Sequence, residues 1–210
     1  MMVAMTVEYL PPELEYTSWL EGAPALRELP ERALTIPDLE WIWERSPEYY
    51  RFELDEGVLV VYGAPADVHQ ITSGNLYFKL RMVCPPEFLV TPAAGVEMSQ
   101  THFRIPDLKV IKTDTFSPKA KYSTAPPALA VEITSPSTSR YDRTRRKQAY
   151  AEFGIPDYWI VTPDPEKPEI TAYQLAGKHY QQVACVAGDA VFTATRPFPV
   201  SFTPAELVAV

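Results

Sequence analysis

The stretch from Ala128 to Val161 constrains the fold of this 210-residue chain more than any other. Ala128-Leu129-Ala130-Val131-Glu132-Ile133 reads as a buried strand, and Asp157-Tyr158-Trp159-Ile160-Val161 reads as a second one. Between them Arg140 to Phe153 reads as a helix, ended by Gly154 just past its last turn and Pro156 two residues later. Two strands joined through a helix in this way lie parallel, with the helix covering one face of their sheet.

The flanking sequence extends that unit. Thr35-Ile36-Pro37-Asp38-Leu39-Glu40-Trp41-Ile42-Trp43 has the cap and first-turn proline of a helix start. Tyr50 to Leu54 and Val58 to Tyr62 flank Asp55-Glu56-Gly57 as a β-hairpin. Asp67 to Val83 reads as helix, with Leu76, Leu80 and Val83 on one side, and Phe88 to Ile111 as strands edged by Pro92 and Pro106. After a polar loop from Asp114 to Pro127 comes the unit above, and Glu169 to Val200 alternates in further strands. The order predicts an α/β (α+β) fold with a mixed central sheet flanked by helices.

With 46% hydrophobic residues the chain can bury a substantial core. We read residues 31–210 as one domain and residues 1–30, with Pro11, Pro12, Pro24 and Pro30, as a loosely attached N-terminal extension. Prolines outnumber glycines 22 to 8, which predicts stiff loops rather than long flexible linkers. Cys84 and Cys185 are too few for a disulfide framework or a cysteine-rich zinc site. Neither a basic-then-apolar leader nor a membrane-length apolar run is present, so a soluble cytoplasmic protein with no membrane partner is expected. The formal charge of -8 argues against a broad nonspecific nucleic-acid surface, but Arg140, Arg143, Arg145, Arg146 and Lys147 concentrate positive charge on one short segment.

Carboxylates within apolar strands need a partner, because burying an unpaired one costs several kcal/mol. Glu132 lies between Val131 and Ile133, and Asp107 opens the run Leu108-Lys109-Val110-Ile111 after Pro106. Two such carboxylates on neighbouring strands, with a cation nearby, make a divalent-metal site for phosphodiester cleavage, since hard oxygen ligands suit Mg²⁺. Each residue also has a structural reading: Glu132 paired with an arginine such as Arg143, and Asp107 capping a turn. On a helix beginning near Arg140, Arg143, Lys147 and Tyr150 share one face while Arg145, Arg146 and Gln148 turn elsewhere, which makes Lys147 the expected catalytic cation. Asp142, Ser135 and Ser137 read as helix caps. A G-x-S-x-G elbow, a Gly-rich phosphate loop and an H-E-x-x-H pair are all absent from the sequence.

Together these residues resemble the Uma-two family of restriction-endonuclease-like proteins, within the wider PD-(D/E)xK nuclease group. The resemblance runs from about Thr35 to Leu175. It is carried by Phe52-Glu53-Leu54-Asp55-Glu56-Gly57, His69, Pro106-Asp107, Val131-Glu132-Ile133-Thr134-Ser135-Pro136-Ser137-Thr138, Tyr141-Asp142, Lys147, Tyr150 and Gly154-Ile155-Pro156-Asp157-Tyr158-Trp159. It implies a restriction-endonuclease-like fold, with Asp107 and Glu132 as ligands of Mg²⁺ or Mn²⁺ and Lys147 as the catalytic lysine. The backbone carbonyl of Ile133 joins the metal ligands in this reading, and Glu53 is a further candidate. His69 is a candidate contact for water or phosphate. The simplest nuclease motif has lysine two residues after the glutamate; Thr134 stands there, and Lys147 on the following helix is the substitute. The function expected is a Mg²⁺-dependent endonuclease acting on DNA, with a homodimer as the simplest way to cut both strands. The alternatives are a noncatalytic nucleic-acid-binding or regulatory protein that keeps the nuclease fold, and a phosphodiesterase with another substrate.

Overall fold

Apolar strands and partly amphipathic helices build a mixed α+β architecture, as the sequence order predicts. The computed structural model describes residues 5–7, 29–46, 50–134 and 142–210, with backbone alone at 5–7, 142 and 143. Its strands are β1 (Met5–Val7), β2 (Arg51–Asp55), β3 (Val58–Tyr62), β4 (Phe88–Pro92), β5 (Val96–Ser99), β6 (His102–Arg104), β7 (Leu108–Lys112), β8 (Leu129–Ile133), β9 (Asp157–Thr162), β10 (Glu169–Ala176), β11 (His179–Ala187), β12 (Phe192–Ala194) and β13 (Val200–Phe202). The α-helices are α1 (Ile36–Arg45), α2 (Asp67–Val83), α3 (Lys147–Phe153) and α4 (Pro204–Val208). They fall into two compact units, Met1–Ala64 with Glu97–Ile105, and Pro65–Val96 with Pro106–Val210. The expected extension, residues 1–30, lies mostly outside the described residues.

In the first unit the strand order is β1-β3-β2-β6-β5. The expected hairpin forms in register, Phe52 opposite Val61 and Leu54 opposite Leu59. Its turn needs positive φ at both central residues, met by Glu56 (50°) and Gly57 (80°). Helix α1 starts where Thr35 and Pro37 predict. The Asp38 carboxylate accepts the Thr35 N–H at 2.8 Å and the Thr35 hydroxyl at 2.7 Å. Arg32 grips the same carboxylate and, with those donors, holds its pKa down at about 2.

In the second unit the order is β11-β10-β9-β8-β7-β4. Strands β8 and β9 pair in parallel, as the strand–helix–strand reading predicts, with Val131 opposite Trp159; the other neighbours in the sheet are antiparallel. Alternation sorts the two faces. Leu108, Val110, Leu129, Val131, Ile133, Trp159 and Val161 enter the core with Leu76 and Leu80 of α2, together with Phe192, Phe202 and Leu207. The opposite face carries Lys109, Glu132 and Tyr158, and α3 packs there through Tyr150, whose ring lies 5.3 Å from that of Tyr158.

Two helix readings are corrected. Val83 does not join Leu76 and Leu80: it is 47% exposed, and the inward face of α2 is Thr72, Ser73, Leu76 and Leu80. Seven residues make almost two full turns, so Val83 keeps the phase of Leu76, but it is the last residue of α2 and sits at the end of the helix. The basic helix is also not uniform, since Asp142–Arg146 winds as a π-helix before α3 takes over. Its end is as expected: Gly154 has φ of 87°, and its N–H and that of Ile155 both bond the Tyr150 carbonyl. Helix α4 was not anticipated; Thr203 caps it, with Glu206 returning a 2.7 Å bond to the Thr203 N–H.

Candidate active site

Strands β7 and β8 bring the two carboxylates together. Leu108 pairs with Val131 and Lys109 with Ala130, so continuing the antiparallel register by one residue sets Asp107 opposite Glu132. Directly opposed residues of an antiparallel pair have Cβ atoms roughly 5 Å apart. Both side chains are buried. Pro106 holds the backbone extended ahead of Asp107 and adds no N–H that would need a partner. The Asp107 Oδ2 instead accepts the Ile133 N–H at 2.7 Å, and its backbone carbonyl accepts the Ala93 N–H at 2.9 Å.

His69, on the first turn of α2, approaches the same carboxylate, Nε2 to Oδ2 at 3.3 Å. Among the described residues His69 Nδ1 is buried without a hydrogen-bond partner, which fits a proton on Nε2, facing Asp107. The residue expected to contact water or phosphate is therefore placed against the aspartate.

Glu132 is held from α3 and the π-turn before it. The Tyr150 hydroxyl donates to Oε1 at 2.5 Å, and Arg146 Nη1 donates to the same oxygen at 3.1 Å. Tyr150 was expected near Glu132; Arg146 was expected to turn elsewhere, and that expectation is overturned. Arg146 stands four residues before Tyr150 and Lys147 three, so they occupy opposite flanks of the tyrosine. The Arg146 flank meets Glu132 on β8, and the Lys147 flank meets β10 of the same sheet. Lys147 places its ammonium 3.6 Å above the Tyr173 ring, and partial burial there lowers its pKa.

The remaining candidates are distributed as follows. Thr134, in the usual lysine position, is buried and gives its N–H to the Val161 carbonyl at 2.9 Å. Glu53 belongs to the first unit, where it is fully buried and accepts from the Ile105 N–H at 2.8 Å, Arg104 at 3.3 Å and Tyr62 at 3.3 Å. Asp55 shares Arg104 at 2.7 Å and meets His102 at 3.2 Å. The side chains of Asp142 and Arg143, with residues 135–141, lie outside the described residues, so the capping and pairing readings placed on them do too.

Sequence reasoning passed over Lys109. It alternates with Leu108 and Val110 as Glu132 does with Val131 and Ile133, so the same rule, a charge inside an apolar strand, would have marked it. The residue is 2% exposed, and its ammonium donates to the Gly95 carbonyl at 2.6 Å and Ser123 Oγ at 2.7 Å. Burial pulls its pKa down to about 8.

These donors fit a hard divalent cation. Like charges directly opposite on a sheet repel, and an ion between Asp107 and Glu132 would remove that conflict. The N–H and C=O of one strand residue project to the same side, so the Ile133 carbonyl emerges on the side where its N–H meets Asp107. Among the described residues no three His, Cys, Asp or Glu side chains are grouped closely enough to hold an ion unaided. Mg²⁺ commonly needs only one or two carboxylates, completing its shell with water and substrate phosphate.

The mixed sheet flanked by helices is a nuclease-like fold. The chain belongs to the Uma2 family, described as "putative restriction endonuclease", whose family model matches residues 35–209. Among solved structures it is similar to one described as a putative nuclease belonging to DUF820 from Anabaena variabilis. That similarity has a TM-score of 0.66 at 16% identity and covers 83% of this chain and 97% of the other. No curated protein matches it. Among the described residues no helix is long and apolar enough to cross a membrane.

Proposed function

We propose that the protein is a Mg²⁺- or Mn²⁺-dependent endonuclease that hydrolyses DNA phosphodiester bonds in the cytoplasm, with Asp107, Glu132 and the Ile133 carbonyl as metal ligands. The observation that carries this reading is the cross-strand placement of two buried carboxylates, Asp107 fixed by the Ile133 N–H at 2.7 Å and Glu132 by Tyr150 at 2.5 Å. An ion bound there would supply charge neutralisation and an acidified water.

The chain's own groups have separate tasks. His69 and the Ile133 N–H hold the Asp107 carboxylate in one orientation, and Tyr150 does the same for Glu132. Arg146 is permanently charged and planar, a geometry suited to phosphate oxygens, so it is the cation best placed to steady charge developing on the phosphate. Lys147 is the second cation, and its work begins only if it leaves the Tyr173 ring. Glu53 is engaged within its own unit, and the proposed mechanism does not draw on it.

The test is cleavage of plasmid DNA with Mg²⁺ or Mn²⁺. Activity is expected to vanish in Asp107→Ala and Glu132→Ala and to fall about a hundredfold or more in Arg146→Ala. Lys147→Ala separates the two cations: a loss as deep as that of Arg146→Ala would give the lysine the catalytic part. Metal-dependent cleavage surviving all four substitutions would remove the site.

A second reading has one observation in its favour, the buried ion pair between Arg146 and Glu132 at 3.1 Å. It already neutralises a proposed ligand, as suits a noncatalytic nucleic-acid-binding or regulatory protein that keeps the fold. Calorimetric titration with Mn²⁺ decides between them; a folded sample that takes up no metal at millimolar concentration supports the second reading.

A further inference from the structure

Helix α2 turns large apolar side chains away from its own core. Its buried positions are Thr72, Ser73, Leu76 and Leu80, whereas Phe78 is 63% exposed and Met82 is 69% exposed. At about 100° per residue, Ile71, Phe78 and Met82 fall within roughly 40° of one another on the outward side. Beside them is Gly74, a costly residue within a helix. Among the described residues a Cβ built on Gly74 would meet nothing within 4 Å, so packing against them does not account for it.

The charges on this surface fit the helix to itself. Asp67 and Arg81 lie seven residues before and seven after Gly74, on the same flank, and both are exposed. When two copies of α2 pack antiparallel about a two-fold axis at Gly74, Asp67 of each meets Arg81 of the other. Ile71 falls against Phe78, glycine lets the backbones approach, and the helix dipoles oppose. A parallel pair would set Asp67 against Asp67. The net charge of -8 opposes self-association elsewhere on the surface, while this stripe is apolar with complementary ends.

We propose that the outward face of α2 is a homodimer interface, the partner being a second copy of this chain packed antiparallel across Gly74. His69 is on the same helix, so each copy's Asp107 contact would sit one turn from the shared surface. The proposal is independent of the nuclease reading, because its readout is mass rather than hydrolysis.

Sedimentation velocity of the full chain across a concentration series tests it. A dimer is expected, and Phe78→Glu should weaken it by about tenfold or more. Asp67→Arg and Arg81→Asp should each weaken it, and the double reversal should restore it, with circular dichroism confirming that every variant is folded. A wild-type chain that stays monomeric at about 100 µM would overturn the proposal. So would a dimer indifferent to Phe78→Glu and to both charge reversals.

Discussion

Replacing Arg146 with methionine separates the structural part of the site from its chemistry. The arginine and Glu132 meet at 3.1 Å with side chains 3% and 6% exposed, so Arg146→Met takes this cation from a carboxylate in a dry environment. Removing one partner of a buried pair costs about 3–5 kcal/mol. The Tyr150 hydroxyl stays in place, and a hydrogen bond to a charged group is worth about 1.5–3 kcal/mol, so the expected loss is near 3 kcal/mol. Adding Glu132→Gln removes the stranded charge and should return about 2 kcal/mol of that loss. Urea unfolding at pH 7 in chelator, followed by circular dichroism, measures both variants. Supplying Mn²⁺ then extends the test, because a metal at a hundred times its dissociation constant adds about 2.7 kcal/mol. Arg146→Met should gain that, and the double variant should not. A single substitution costing under about 1 kcal/mol, or a double variant no more stable than the single one, would refute the assignment of Arg146 to Glu132.

Lys109 gives the chain a pH signature: below about pH 8 both folded and unfolded chains hold its proton and the burial penalty is complete. Between there and the ordinary lysine value near 10.4, the folded chain has released the proton and the unfolded chain keeps it, so stability rises with pH, by up to roughly 3 kcal/mol. The urea midpoint from pH 7 to 11 should show this rise in the wild type and lose it in Lys109→Met; an unchanged slope in the variant would count against it. Two glycines should respond differently to alanine. At Gly57 a Cβ would meet the Ala33 Cβ at 2.7 Å as well as adopt positive φ, whereas at Gly154 it would meet nothing within 4 Å. Gly154→Ala should cost about 1–2 kcal/mol and Gly57→Ala clearly more, read from thermal unfolding; equal costs would remove the clash argument.

Much of the fold was legible because its signals are local. Thr35 and Pro37 mark the start of α1, Glu56-Gly57 requires a tight hairpin turn, and Gly154-Ile155-Pro156 ends α3; each rests on backbone rules that operate within a few residues. The parallel pairing of β8 and β9 was legible for the same reason, since a helix between two strands leaves few other arrangements. The two buried carboxylates were legible, because Asp107 and Glu132 interrupt apolar runs. The arginine that pairs with Glu132 was not. Arg146 and Lys147 are adjacent and flank Tyr150, and only the position of the sheet decides which flank meets Glu132; a π-turn at 142–146 further shifts the phase. Nor could Arg104 be matched to Glu53 and Asp55, because that contact spans about fifty residues and depends on β6 pairing with β2. Lys109 was legible by the rule that marks Glu132, a charge between apolar neighbours in a strand.

The Ile133 N–H, bound to a side chain rather than to the backbone of the next strand, makes the site observable from the main chain. The amide chemical shift of Ile133 should follow the charge and occupancy of Asp107, and its hydrogen exchange should slow when a cation fixes that carboxylate. A single nitrogen-labelled resonance could thus report metal arrival in the intact wild-type protein, with no substrate, no dye and no substitution, before any bond in a nucleic acid is broken.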